Sequence, residues 1–278
     1  MGRWILLFIF VFAGCNILEF TADETSEDSL IYKMQAYIND FNFDAAIAVF
    51  TSEMGSSQQS TREAREYYAQ AYMGKCGLDF LEFVNDVSDY SGNFFASLLE
   101  SMENATAPIV NDCAVSESII DENIANLSPT TTDYNMAVLN AMTKMGNIMN
   151  LRGADGNNQV DAGFDTCDTA DISDADMQEF VAALSRMLSY IGSSSLNFFN
   201  DGDGSNDVDL SGVCDTGQPL EVAGLCDVID AADVTATQIC AARALMREST
   251  DGIGLGLCAN DVAGSVCGGG CGGAVCPL

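Results

Sequence analysis

Two loops of the chain carry oxygen-bearing side chains at alternate positions, a pattern that can surround a hard cation. The first covers residues 155–161 and the second 203–209, and they match in register at Asp, Gly, Asn, Val and Asp. Each loop is followed by the same Cys-Asp-Thr triplet, beginning at Cys167 and at Cys214. Agreement at so many positions indicates two copies of one helix–loop unit.

The two loops resemble the calcium loops of EF-hand and dockerin proteins, in which a glycine permits the tight turn around Ca²⁺. The ligands that this resemblance implies for the second loop are Asp201, Asp203, Ser205, the backbone carbonyl of Asp207, and Asp209 directly or through water. Those implied for the first loop are Asp155, Asn157, the carbonyl of Gln159, and Asp161. Neither loop has the final bidentate glutamate, so the implied affinity is weak, as in extracellular modules. The alternative is that Asp, Asn and Gly only form turns between helices.

Helical periodicity flanks both loops. A helix predicted over Thr132–Leu151 leads into the first loop, and its methionine stripe is expected to be core because the thioether fills irregular gaps. The members of this stripe are Met136, Leu139, Met142, Met145 and Met149. A second helix, predicted over Asp174–Phe198 with Ser173 as its N-cap, leads into the second loop. A third is predicted over Asp230–Arg247, whereas the segment around Pro108 and Cys113 is predicted to be a loop before a short helix over Ser116–Asn126.

Residues 29–89 resemble tetratricopeptide-type helical hairpins. Ala46 and Phe50 stand where that repeat places a small and an aromatic residue, and a small residue lets two antiparallel helices approach closely. Tyr37 and Tyr72 lie a little more than one such repeat apart. A second hairpin is predicted around the break at Gly74–Gly77, with Leu81 and Val84 on its last helix.

The predicted fold class is therefore mainly α. We expect a signal peptide at residues 1–14, an acidic tether at 15–28 and a helical, repeat-like domain at 29–248 containing two Asp-rich loops, 153–168 and 200–215. A Gly- and Cys-rich tail, 249–278, completes the chain. This tail has no helical period, so disulfides are the expected source of its order.

The first fifteen residues combine one basic residue, a short apolar run and Ala13-Gly14-Cys15. The run is far shorter than the roughly 20 residues of a membrane-spanning helix. It resembles the lipobox of bacterial lipoproteins, in which a diacylglycerol is attached to the cysteine sulfur and cleavage leaves that cysteine first. The resemblance implies lipidation of Cys15 and export, and Asn16 matches enterobacterial sorting to the outer membrane. An ordinary secretory signal is the alternative.

The composition is strongly acidic, with a formal net charge of −31. A field of that sign repels phosphate backbones and anionic headgroups, which argues against nucleic-acid binding and against membrane docking through a basic patch. Cations and basic partners are attracted instead.

Ten cysteines remain when Cys15 is set aside, and an even number in an exported chain predicts disulfides. The candidates are Cys76, Cys113, Cys167, Cys214, Cys226, Cys240, Cys258, Cys267, Cys271 and Cys276. The alternative, a thiolate metal site built from the last four, lacks the CxxC spacing of zinc ribbons.

The chain contains no histidine and no GxSxG, HExxH or P-loop pattern, so we expect no catalysis. The sequence predicts a lipid-anchored protein of the cell envelope that acts as a non-catalytic scaffold for a protein partner. The alternative prediction is a calcium-dependent structural or adhesive lipoprotein.

Overall fold

Helices make up the regular structure of the residues that the structure describes, and no strand occurs among them, which confirms the predicted mainly α fold. The computed structural model describes residues 25–79, 94–100, 110–153, 160–161, 164–194, 224–228, 230–247 and 254–255. Its helices are α1 (Glu27–Asn39), α2 (Phe43–Ala48), α3 (Ser56–Gln59), α4 (Arg62–Lys75), α5 (Phe94–Glu100), α6 (Val110–Asn126), α7 (Thr131–Gly153), α8 (Asp174–Ile191) and α9 (Ala236–Arg247). A π-helical turn, Val49–Glu53, continues α2, and a 3-10 turn, Ala231–Asp233, precedes α9.

The chain forms two compact units, Met1–Ala71 and Tyr72–Leu278. Their boundary falls inside α4 and inside the stretch that the sequence treats as one helical domain. No helix in the described ranges is long and apolar enough to cross a bilayer.

The first unit is built on a hairpin of α1 and α2. Ser26 caps α1 by accepting a hydrogen bond from the amide of Ser29 at 3.3 Å. The helix buries Leu30 and Met34 against Ala46. Ala46 is fully buried, as expected for a position where two helices approach closely. The first predicted hairpin is therefore present, while Leu81 and Val84 of the second lie outside the described residues.

The second unit is centred on α7, which packs against α5, α6 and α8. The methionine stripe is core as predicted, since Met136, Met142, Met145 and Met149 are all buried. Between α5 and α8, the rings of Phe95 and Phe180 meet edge to face, 5.1 Å apart.

Helices α7, α8 and α9, the ones described after residue 129, each begin with a reciprocal capping box. In each box, the cap hydroxyl accepts a hydrogen bond from the backbone amide of the residue three positions later. The side chain of that later residue in turn accepts a hydrogen bond from the backbone amide of the cap. The pairs are Thr130 with Asp133, Ser173 with Asp176, and Thr235 with Gln238. The predicted cap at Ser173 is confirmed. These boxes satisfy amides that a helix start leaves without partners.

Three helix boundaries differ from the sequence prediction. The helix predicted over Asp174–Phe198 ends at Ile191, where the amide of Gly192 donates to the carbonyl of Tyr190. Cys113 lies inside α6 rather than in a loop, and its side chain is fully buried, as are those of Ser116 and Asn123 on the same face. Small polar residues on the buried face conceal this helix from a hydrophobicity pattern. The helix predicted from Asp230 begins only at Ala236, because the Asp230 carboxylate accepts the amide of Ala232 and fixes a 3-10 turn first.

Candidate functional site

The predicted calcium ligands fall mostly outside the described residues. These are Asp155, Asn157, Gln159, Asp201, Asp203, Ser205, Asp207 and Asp209. Asp161 is described; it is half-buried, and its carbonyl accepts a hydrogen bond from the amide of Phe164 at 3.1 Å. Among the described residues, no three Asp, Glu, Cys or His side chains are grouped to hold a metal ion.

The acidic segment after the first loop, residues 165–176, uses its carboxylates to fold its own backbone. The Asp171 carboxylate accepts a hydrogen bond from the backbone amide of Asp165 at 2.8 Å. The Asp165 carboxylate accepts one from the backbone amide of Cys167 at 2.9 Å. The Asp168 carboxylate accepts the amide of Ala170 at 2.8 Å. These three aspartates, none of them a predicted calcium ligand, therefore act as turn formers.

Three arginines neutralise carboxylates of this acidic segment. The ion pairs are Arg152 with Asp176 (3.0 Å), Arg243 with Asp174 (2.9 Å) and Arg247 with Asp165 (3.7 Å). Asp165, Asp174 and Asp176 are thus each paired with an arginine.

Arg243 is the central member of this group. Its side chain is only 4% exposed, and it donates to the carbonyl of Thr166 and, at 2.8 Å, to the carbonyl of Ile172. The Thr166 hydroxyl donates in return to the Arg243 carbonyl at 2.9 Å. The rigid fork of the guanidinium suits several fixed acceptors at once. Arg243 thus ties the acidic segment to α9.

A second group of charges, the ion cluster, lies where α6, α7 and α8 pack together. Its members are Glu117, Asp121, Lys144, Glu179 and Arg186. Glu117 stands at the centre, because its carboxylate is 3.2 Å from both Lys144 and Arg186. Lys144 also pairs with Glu179 at 2.5 Å, and Arg186 with Asp121. The two cations are almost completely buried, with side chains 4% and 1% exposed, whereas the carboxylates remain in partial contact with solvent.

The cluster shifts the pKa values of its two cations in opposite directions. Burial alone lowers the pKa of Lys144, but the charges and hydrogen bonds of Glu117 and Glu179 outweigh it and leave that pKa raised. Burial lowers the pKa of Arg186, and the opposing effects of Glu117 and Tyr190 do not compensate fully. The Arg186 guanidinium also lies 5.7 Å from the centre of the Tyr190 ring, a cation–π distance. The arrangement ties three helices together through one shared carboxylate.

The sequence analysis did not identify this cluster. The available signal is a basic residue within the apolar stretch of each of two helices, Lys144 within the methionine stripe and Arg186 after Phe180–Leu184. A buried cation in such a helix requires a carboxylate partner. Nothing in the spacing indicates that the partner is Glu117 on α6, because Glu117 and Arg186 are 69 positions apart in the chain.

The cysteine prediction is confirmed for one pair. Cys76 and Cys113 form a disulfide, and both side chains are buried. Asparagines of α7 hold both half-cystines: the Asn147 amide donates to the carbonyl of Cys76, and the Asn140 amide donates to that of Cys113 at 3.2 Å. Cys167, Cys226 and Cys240 are also disulfide-bonded. The other named cysteines, Cys15, Cys214, Cys258, Cys267, Cys271 and Cys276, lie outside the described residues.

Charge is distributed unevenly over the chain. Residues Tyr72–Leu278 hold 31 of the 41 acidic residues but only six of the ten basic ones. All six are ion-paired: Lys75 with Asp112 at 3.9 Å, the two cations of the ion cluster, and the three arginines of the acidic segment. Every basic side chain of this unit is thus paired with a carboxylate of the same unit, and the acidic residues left over give the unit a net negative charge.

No protein-family model matches the chain, and neither the curated proteins nor the solved structures provide a match.

Proposed function

We propose that this protein is an exported lipoprotein of the bacterial cell envelope, attached to the outer membrane through Cys15, that binds a protein partner and catalyses no reaction. The lipobox-like Ala13-Gly14-Cys15 supports the anchor. The finer fold proposed with it is a stack of tetratricopeptide-like hairpins, which starts from the α1–α2 pair.

The observation that carries the proposal is the buried disulfide between Cys76 and Cys113. Disulfides persist in oxidising compartments and are rare in the bacterial cytosol. Asn140 and Asn147 satisfy the carbonyls on both sides of this bond, so the packing of α7 is built around the bonded form. A chain that folds around a disulfide is expected outside the cytoplasm, where the lipobox-like start would place it.

A scaffold role is supported by how the second unit uses its reactive side chains. Lys144 and Arg186, the groups with shifted pKa values there, are engaged by carboxylates within the helix packing. These pairs join α6, α7 and α8, and we expect a partner to bind on the outer surfaces of the helical hairpins. Stacked helical hairpins present extended surfaces of that kind.

The anchor is tested by mass spectrometry of the mature N-terminus after expression with the native leader. We expect a first residue of cysteine carrying diacylglycerol and a membrane-bound protein, and release of the C15S variant into the soluble fraction. Alkylation before and after reduction reports whether Cys76 and Cys113 are oxidised. A protein that keeps Met1, stays in the cytosol and has free thiols would refute the proposal.

Partner binding is tested by mild chemical crosslinking of intact cells and recovery of the wild-type protein, with the C15S variant as the control. One polypeptide recovered repeatedly with the anchored form supports a scaffold. Recovery of the protein alone would argue against one.

A second function, calcium-dependent adhesion or structure, is supported by the in-register duplication of the Asp loops. The test compares melting temperature in millimolar Ca²⁺ and in chelator, for the wild type and for a D203N/D209N variant. A rise with Ca²⁺ that the variant lacks supports calcium binding. Equal melting temperatures in both conditions would exclude it.

A further inference from the structure

Helix α1 ends in a Schellman motif whose left-handed position is occupied by phenylalanine. The amide of Asn42 donates to the carbonyl of Tyr37 at 2.8 Å, and the amide of Phe41 donates to that of Ile38 at 3.0 Å. This pair of bonds defines the motif and places Phe41 at the residue that must be left-handed, where its φ is 56°. That residue is normally glycine and sometimes asparagine, because a bulky side chain is strained there.

Phe41 is the one non-glycine residue with positive φ in the part of the chain that the structure describes. Asparagine tolerates this conformation better than phenylalanine, and it occurs nearby, two residues before Phe41 at Asn39 and directly after it at Asn42. Local folding therefore gives no reason for phenylalanine at this position. Strained residues of this type tend to occur at functional sites.

The Phe41 ring is also presented to solvent. It is 60% exposed and lies edge to face with Phe43, with ring centres 6.1 Å apart. A phenylalanine that stabilised the hairpin would be buried in its core, as Phe50 is against Tyr68. Phe41 therefore has a strained backbone and an exposed side chain. Binding of the ring by a partner can explain this combination, whereas the stability of the hairpin does not.

Two carboxylates border the aromatic pair. Asp40 precedes Phe41 and Asp44 follows Phe43, and both acids are exposed. We call Asp40, Phe41, Phe43 and Asp44 the hairpin tip. Carboxylates at this position repel the anionic headgroups of a membrane surface, which disfavours insertion into lipid. They favour a surface that presents lysine or arginine around an apolar centre.

We propose that the hairpin tip is the docking site for a partner protein with an apolar pocket bordered by basic side chains, into which Phe41 inserts. The inference rests on the proposed scaffold function and assigns it a site and a partner chemistry. Aromatic residues that fill a pocket at the centre of an interface dominate binding energy, and the flanking charges steer association.

The test replaces Phe41 with the photo-crosslinker p-benzoylphenylalanine in the full-length protein, in cells of the native host. The matched control carries the same residue at Ser52, an exposed position in the π-helical turn at the other end of the second hairpin helix. We expect light-dependent attachment to one other polypeptide from position 41 and none from position 52. The attachment point, located by peptide mass spectrometry, should lie on an apolar surface next to lysine or arginine.

A second variant separates binding from folding. Because asparagine suits the left-handed position, F41N should melt at the same temperature as the wild type or a few degrees higher. Its affinity for the purified crosslinked partner should fall about 30-fold, the effect of losing one dominant interface residue. D40N/D44N should slow association at low salt and have little effect at high salt.

Several results would overturn the inference. Adducts with lipid or with a second copy of this chain would assign the tip to another occupant, and equal adducts from positions 41 and 52 would show mere proximity. A melting temperature of F41N well below that of the wild type would show that Phe41 is retained for packing.

If chemical crosslinking recovers a partner while position 41 forms no adduct, the scaffold function stands and the tip assignment is wrong. If neither method recovers a partner, both proposals fail.

Discussion

Replacing Glu117 by glutamine tests whether one shared carboxylate holds the α6–α7–α8 packing together. The variant keeps the shape of the side chain and most of its hydrogen-bonding capacity but removes its charge. Lys144 and Arg186 are both 3.2 Å from this carboxylate and are themselves almost fully buried. E117Q therefore weakens the neutralisation of two buried cations at once.

The expected loss follows from these distances. At an effective dielectric constant of about 20, each contact of 3.2 Å corresponds to about 5 kcal/mol of Coulomb attraction. The desolvation that burying the charges requires offsets most of it. Removing one partner from a buried pair typically costs about 3–5 kcal/mol. Glu179 and Asp121 remain, though they are 39% and 42% exposed and compensate less well. We therefore expect a loss near the lower end of that range, about 3 kcal/mol.

The assay is equilibrium unfolding in urea with the disulfides intact. A loss of about 3 kcal/mol lowers the midpoint by about 1 M when the slope is about 3 kcal/mol per M. The matched control is D233N, which removes the same charge from an exposed aspartate of the 3-10 turn and should change stability by less than about 0.5 kcal/mol. If E117Q is no less stable than D233N, the reasoning about the ion cluster is wrong.

A fully apolar replacement distinguishes the charge of the cluster from its packing. Because exchanging a buried ionic group for apolar residues of similar volume is often neutral, E117L/K144M/R186M should be more stable than E117Q. Lower stability in the triple variant would mean that the ion pairs contribute net stability beyond compensating one another.

Three further predictions concern the same unit. Removing the disulfide as C76A/C113A should cost about 4 kcal/mol, because the bond closes a loop between residues 37 apart, and a urea midpoint equal to the wild type under oxidising conditions would contradict this. Since folding raises the pKa of Lys144 above its usual 10.5, the stability gained from its charge is present at lower pH and is lost as pH rises beyond that value. Unfolding titrations between pH 9 and 12 should show a smaller alkaline loss in K144M than in the wild type, and parallel curves would exclude the effect. R243M should lower the free energy of unfolding by about 3 kcal/mol, measured by thermal unfolding. R243K should recover less than half of that loss, because an ammonium cannot reproduce the guanidinium fork. Full recovery in R243K would show that charge alone matters.

Patterns that lie within one helix were predictable from the sequence. The methionine stripe of α7, the cap at Ser173 and the small residue at Ala46 each follow from a spacing of three or four residues or from a local capping rule. The core and the first hairpin could therefore be predicted before any coordinates. The failure at Cys113 has the same origin, because the first turns of α6 bury Cys113 and Ser116 and lack a strong apolar period.

Pairing between distant segments was not predictable. The cysteine count predicted disulfides but left open that Cys76 bonds to Cys113, and it gave no sign that Asn140 and Asn147 hold that bond. The Asp-rich repeat predicted either a cation site or a set of turns. Neither is decided for the predicted ligands, which lie mostly outside the described residues. The structure shows instead that Asp165 and Asp174, just after the first loop, pair with Arg247 and Arg243 of a helix far along the chain, with Arg243 and Asp174 69 positions apart.

The sequence by itself determined that this chain is helical, acidic and rich in cysteine, because composition and short-range periodicity specify those properties. Only the tertiary structure decided which charges meet. Glu117 forms ion pairs with Lys144 and Arg186, and the other basic side chains of the second unit also pair with carboxylates of that unit. The physical reason is that a buried charge must find its partner in space, and the chain separation between partners carries no signal of the packing that joins them.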